Sequence, residues 1–407
     1  MSKASAASAF VCPPRQPGRW LRSCLLAAAL PAAALLSGCP ADAPPAGPGA
    51  SAPAASAPRD AALWQELERI ERIGRARPQD HEKALLALQA RTAEGSVERA
   101  EVLSLRGTLG ALKRDRSIVE RVVKSLDAWP VKSSQQSAQL ARAHVLGQYY
   151  RALGDVREAR KALAVIDEPR FKSAPALAML RCRSTMSLIE LDAGNVDAAL
   201  ANALQELSLA EDLKQGWRRA YALNDIAAAY HRSEQMERAR QTSSEALAEA
   251  RRDPDPILLN QVLTVRGIIY VNDPDTSATL GAQTEALEHA VTSGADAVRA
   301  QGLANLADYY LRQRNYPRAL QLAEEALPLA RSTRTLNAEI VARHNMGLAK
   351  ISMNRVAEGR SDVRAAITLD EQQGAITYAS DGWQELGMYL ERAGDLSGAI
   401  EAHHEYR

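Results

Sequence analysis

The stretch Ala141-Arg-Ala-His-Val-Leu-Gly-Gln-Tyr-Tyr-Arg-Ala-Leu153, closed by Gly154-Asp155, decides the fold. Its apolar residues recur at intervals of three and four, the spacing that lines one face of an α-helix. Gly154-Asp155 breaks the run, and a second amphipathic stretch follows from Val156 to Ile166, so the two read as a helical hairpin. Moving outward in steps of forty residues finds the same arrangement. Gly107, Gly147, Ser187, Ala227, Gly267, Ala307, Gly347 and Gly387 are all small. Twelve residues beyond each come Val119, Ala159, Ala199, Ala239, Thr279, Ala319, Gly359 and Ala399, most of them small again. The break recurs at Gly194-Asn195, at Asn315 before Pro317, at Asn354 and at Gly394-Asp395. A fixed period of this length marks stacked supersecondary units, here helix pairs. Tiny side chains at the repeated positions let antiparallel helices approach closely. Tyr150, Tyr230, Tyr270 and Tyr310, on the same forty-residue grid with one step skipped, would each wedge their pair against the next.

The period predicts an all-α, α-α superhelix of about eight to nine hairpins over 60–407. Seven units are expected from 136 onward, with a degenerate one at 98–127. Residues 61–93 read as a capping pair with a longer turn (Arg75–Asp80). Pro317 falls in a first helical turn, where its missing N–H costs nothing, whereas Pro328 should bend its helix. Asp273-Pro274-Asp275 replaces the glycine turn of its unit.

Trp383-Gln-Glu-Leu386-Gly387, then Gly394 and Ala399, resemble the tetratricopeptide pattern, as do Leu146-Gly147, Tyr150, Gly154 and Ala159. Forty residues in place of the usual 34 resembles the extended tetratricopeptides of kinesin light chains and bacterial peptide-sensing regulators. The resemblance implies a superhelix whose first helices line a concave groove. The facing residues would include His144, Gln148, Arg151, Arg181, Ser184, Tyr221, Asn224 and His231. Gln261, Thr264, Asn305, Asp308, Arg312, His344 and Asn345 would continue the wall. Asn224-Asp-Ile, Asn305-Leu and Asn345-Met look like the Asn-Leu element whose amides bind an extended peptide backbone, an amide being both donor and acceptor. A protein or peptide in the groove is therefore the expected partner.

Composition points the same way. Of 407 residues 46% are hydrophobic and only 4% aromatic, which suits alanine-rich helix packing. The formal net charge is +1, and four of the basic residues (Lys3, Arg15, Arg19, Arg22) lie in the acid-free segment 1–38. Without it the remainder is slightly acidic, so a nucleic-acid partner is not expected. There is no glycine-rich phosphate loop, nucleophile elbow, CxxC or HExxH. His403-His404 are neighbours on a helix and point about 100° apart, which does not suit one ion. No enzyme, metal or cofactor is expected.

The amino-terminal segment reads as an address. Basic residues end at Arg22, and Ser23 to Leu36 is an uncharged run too short for a bilayer core that needs about 20 residues. Leu36-Ser37-Gly38-Cys39 resembles the lipobox of bacterial lipoproteins; the alternatives are an ordinary secretory signal or a weak membrane anchor. The resemblance implies a signal peptide over 1–38, lipidation of Cys39 and a periplasmic, lipid-anchored protein, the outer membrane favoured because position 40 is not Asp. Residues 41–59, almost all Ala, Pro, Gly and Ser, form a tether. Cys12 and Cys24 leave with the signal, so Cys182 alone remains free and reads as a packing residue. The last unit also resembles the segment that closes periplasmic sensors of GGDEF-type diguanylate cyclases, which keeps a sensory module as the second reading.

Overall fold

The computed structural model describes residues 60–406 apart from 75–80, 254, 272, 274–275 and 373–375. The signal-like run, Cys39 and the Ala/Pro-rich tether lie outside the described residues. Those described form helices and turns and no strand. The helices follow one another in pairs, the first being α1 (Ala61–Gly74) with α2 (Glu82–Arg91) and the second α3 (Val97–Leu112) with α4 (Arg116–Asp127). Next come α5 (Gln135–Ala152) with α6 (Val156–Leu163), α7 (Ala176–Asp192) with α8 (Val196–Asp212), and α9 (Gly216–Arg232) with α10 (Met236–Arg252). The later pairs are α11 (Pro256–Ile269) with α12 (Ser277–Ser293), α13 (Asp296–Arg312) with α14 (Tyr316–Ser332), α15 (Leu336–Ser352) with α16 (Val356–Gln372), and α17 (Ile376–Ala393) with α18 (Leu396–Glu405).

One device makes the turns. Arg114, Gly154, Gly194, Glu234, Arg314, Asn354 and Gly394, spaced by forty except for one step of eighty, all have positive φ. Behind each, the next amide reaches back five residues to close the helix, as Asp155 N–H does to the Tyr150 carbonyl at 2.9 Å. The same residue then caps the following helix: Asp155 Oδ1 accepts from Glu158 N–H at 3.0 Å, and Asp115, Asn315 and Asp395 act alike. At the break read as Asn315, the left-handed residue is Arg314 and Asn315 is the cap. Lys214, Gly294 and Arg334 repeat the left-handed turn between hairpins, halfway along the period. The Asp273-Pro274-Asp275 unit shows as a longer link, from Ile269 to Ser277.

The small positions meet across each hairpin. Ser187 Oγ donates to the Ala199 carbonyl at 2.8 Å, and a Cβ added to Gly347 would lie 2.5 Å from the Gly359 carbonyl oxygen. Ala227 and Ala307 are fully buried at the same register, and a Cβ on Gly387 would strike the His403 ring at 2.5 Å. Tyr230 is buried, while Tyr150, Tyr270 and Tyr310 are partly buried against the hydrophobic clusters of their own regions. Helix α14 holds Pro317 in its first turn and remains helical through Pro328 to Ser332. Cys182 is fully buried with its thiol 3.3 Å from the Leu140 carbonyl; burial pushes the thiol up to about 12, so it packs and does not react.

Consecutive first helices pack on one another (α3 on α5, α5 on α7, α9 on α11, α13 on α15, α15 on α17), and second helices have no comparable mutual contact. The first-helix layer is therefore the tighter, inner one, and the stack curves around it.

Candidate functional site

The inner wall is built from the first helices, and its amino-terminal part is closed by α1. The apolar stripe Leu63, Leu67 and Ile70 joins α2 and α3 in one buried cluster. The opposite stripe, Glu68, Glu71 and Arg72, crosses to helices far along the chain, so this pair does more than the simple cap expected of it. Glu71 accepts from Arg181 (2.6 Å) and from Arg218 (2.7 Å), 110 and 147 residues away. Arg181 also bonds Glu101 of α3, so α1, α3, α7 and α9 meet at one buried charge cluster. Burial would raise the Glu71 carboxyl, but the two guanidiniums outweigh it and hold that group well below the usual carboxylate range. Arg181 is in turn held above the ordinary guanidinium range by its two carboxylates, against its burial.

Trp217 completes the junction. Its indole N–H donates to Glu68 at 2.6 Å, with the guanidiniums of Arg218 and Arg72 at 4.1 and 5.6 Å from the ring. Arg72 reaches on to Asp253 (2.9 Å) and to Asp255 (3.1 Å), the residue that caps α11. The space left beside the cluster, bordered by Leu180, Ser184, Tyr221 and Asp225, is about 30 Å³, enough for a water and not for a peptide.

The other wall residues expected from the sequence fall into two groups. Several are sealed between helices by bonds of their own. His144 faces Ser104 Oγ at 2.9 Å, Gln148 donates to Thr185 Oγ1 at 2.9 Å, and Asn224 donates to Asp225 at 3.2 Å. Asn345 donates to the Ala304 carbonyl at 3.1 Å, His344 lies 3.2 Å from Glu385, and Thr264 is buried. His144, Gln148, His344 and Asn345 are thus buried ties between successive first helices, Arg181 ties α7 back to α1 and α3, and Asn224 is buried with its bond inside α9; none lies on an open solvated face. Arg151 pairs with Asp192 at 2.7 Å in the same way.

The second group faces the later groove. Asp308 and Arg312 pair at 2.8 Å along α13, and Asp308 holds the Arg312 guanidinium above its usual range. Gln261 on α11 is half-buried with its Oε1 unpartnered among the described residues. Asn305 on α13 accepts from Gln301 at 3.0 Å and leaves its own Nδ2 buried without a partner among the described residues. His231 is half-buried at the end of α9, where burial and then Arg232 lower it to about 4.

Sequence reasoning missed Glu68, Glu71, Glu101, Trp217 and Arg218. The one available signal was the acidic stripe opposite the leucines of α1, which shows a polar face but not what it meets. Among the described residues no group of His, Cys, Asp and Glu is arranged to hold a metal, and no helix is long and apolar enough to cross a membrane.

No protein-family model and no curated protein matches the chain. Solved structures do. A Rap protein complexed with competence and sporulation factor superposes with a TM-score of 0.58 at 12% identity, over 85% of this chain and 96% of its own. The apo form of RapI gives 0.52 at 13% identity, over 66% and 96%. NprR in complex with its cognate peptide NprX gives 0.50 at 16% identity, over 73% and 87%. At these identities the likeness shows the fold, a tetratricopeptide-like all-α superhelix.

Proposed function

We propose that this chain is a lipid-anchored, non-catalytic scaffold that binds an extended peptide or protein segment along the inner wall of its later hairpins. One observation carries the reading: Gln261 Oε1 and Asn305 Nδ2, an acceptor and a donor on successive first helices, are buried and unpartnered among the described residues. Idle buried amide atoms cost stability, and a peptide backbone offers the complementary pair. One structure with this fold, NprR, is described in complex with its cognate peptide, and a Rap protein is described in complex with competence and sporulation factor, which makes a similar use of this wall reasonable. The lipobox-like Leu36-Ser37-Gly38-Cys39 supports anchoring in the periplasm, preferably at the outer membrane.

Selecting a phage-displayed library of random 15-residue peptides against the full chain tests the wall. Selected peptides should lose about tenfold or more in affinity when Gln261→Ala and Asn305→Ala are combined. Recovery of no binders, or equal binding by the doubled variant, would refute the reading. Anchoring is tested separately, since Cys39→Ser should abolish incorporation of labelled palmitate.

A further inference from the structure

Helix α1 lies along the inner face of hairpins far beyond its sequence neighbours. It has 14 residues, hence a length of about 21 Å, and within that length it meets α3, α7, α9 and the start of α11. All four are first helices, so the front of the inner wall curls around α1. Both sides of α1 are fixed. Leu63, Leu67 and Ile70 are buried with Val102, Leu105 and Leu109 of α3, and a Cβ added at Gly74 would come within 3.1 Å of Leu109 Cδ2. On the other side the Glu71 carboxylate accepts four N–H bonds, two from Arg181 (3.0 and 2.6 Å) and two from Arg218 (2.8 and 2.7 Å). Paired forks of this kind hold direction as well as charge.

The filled part of the wall ends where the idle amides begin. Toward the later hairpins α1 reaches as far as Asp253 and Asp255, through Arg72, and Asp255 caps α11. Gln261 follows on α11 and Asn305 on α13. Among the described residues no helix crosses α13, α15 or α17 as α1 crosses the front. A segment lying over Gln261 and Asn305 therefore has clear wall toward α15 and α17, and in the other direction it runs into α1. The space beside the buried charges there is about 30 Å³, room for a water and not for a chain.

We infer that α1 is an end stop: the bound chain terminates against it at α11, so the wall takes a chain terminus and excludes an internal segment. This rests on the peptide reading of the wall proposed above. The test uses the unmodified full chain and the selected peptides that the combined Gln261→Ala and Asn305→Ala change weakens. Each peptide is remade with a flexible tail of about ten Gly and Ser residues at one end or the other. At the end against α1 the tail should lower affinity about tenfold or more, and at the other end by less than about twofold. A benzoylphenylalanine placed at the sensitive end should cross-link to residues 61–74 under ultraviolet light, as mapped by mass spectrometry. A carrier protein fused to the tolerant end separates two sources of the terminus. Its acceptance marks a protein tail and its rejection a free peptide, and the stop holds in both cases. Tails accepted at both ends or at neither, or cross-links that miss 61–74, overturn the inference and leave the wall reading standing. Recovery of no binder sinks both.

Discussion

The inner wall does two different things with one repeat. From α1 to α9 its charges reach across the stack, and Glu71, Glu101, Arg181 and Arg218 tie four helices into a closed cluster. From α13 onward the polar contacts reach no farther than the same or the next first helix, Asp308 pairing with Arg312 four residues on and the His344 ring lying beside Glu385 of α17. The period sets where a polar side chain points, but which partner it meets depends on what lies opposite, and only the first part has α1 opposite it.

The comparison breaks first at Arg181. Arg181→Met strands the buried Glu101 carboxylate and leaves Glu71 to Arg218 alone, and should lower stability by about 3–5 kcal/mol in urea titration. Asp308→Asn removes a half-exposed pair and should cost about 1 kcal/mol or less. Equal losses would mean that the cluster is no tighter than the later pairs. Next in size is the exchange between two asparagines of one fold position. Asn345→Leu removes a buried bond to the Ala304 carbonyl, which keeps its place in the α13 ladder, and should cost about 0.5–1.5 kcal/mol, whereas Asn305→Leu gives up the Gln301 bond together with an idle donor and should change stability by about 0.5 kcal/mol at most.

Acid should separate two contributors. The folded His231 imidazole refuses a proton that the unfolded one accepts, so stability falls as pH drops from 6.5 towards about 4, and His231→Gln should flatten that part of the profile. The Glu71 contribution is present above the ordinary carboxyl value of 4.5 and is lost as pH falls below it, through the depressed folded value. Glu71→Gln should therefore flatten only the more acid limb. The smallest effects are at the turns. Glu234→Gly relieves a left-handed side-chain residue and should add about 0.5 kcal/mol, while Gly154→Ala should cost about 1 kcal/mol. Changes of the same sign would show that the two turns are not equivalent.

The fold was legible because packing between neighbours recurs: 187 meets 199 and 347 meets 359 because only small side chains fit there. The turns were half legible, since Gly154 announces a left-handed residue and Glu234 does not. The wall was the least legible. Periodicity placed His144, Asn224 and Asn345 on first helices, but whether an amide there faces a peptide or seals a seam depends on the next helix. Glu71 meets Arg218 across 147 residues, a distance no local pattern encodes.

That long reach changes how the molecule can come apart. A simple array frays hairpin by hairpin from its ends, because each unit knows only its neighbours. Here the first helix is fastened to the fourth, fifth and sixth units through Arg181, Trp217 and Asp255. The amino-terminal end can peel away only by breaking into the middle, so the first six hairpins should unfold as one block while the last three melt on their own terms.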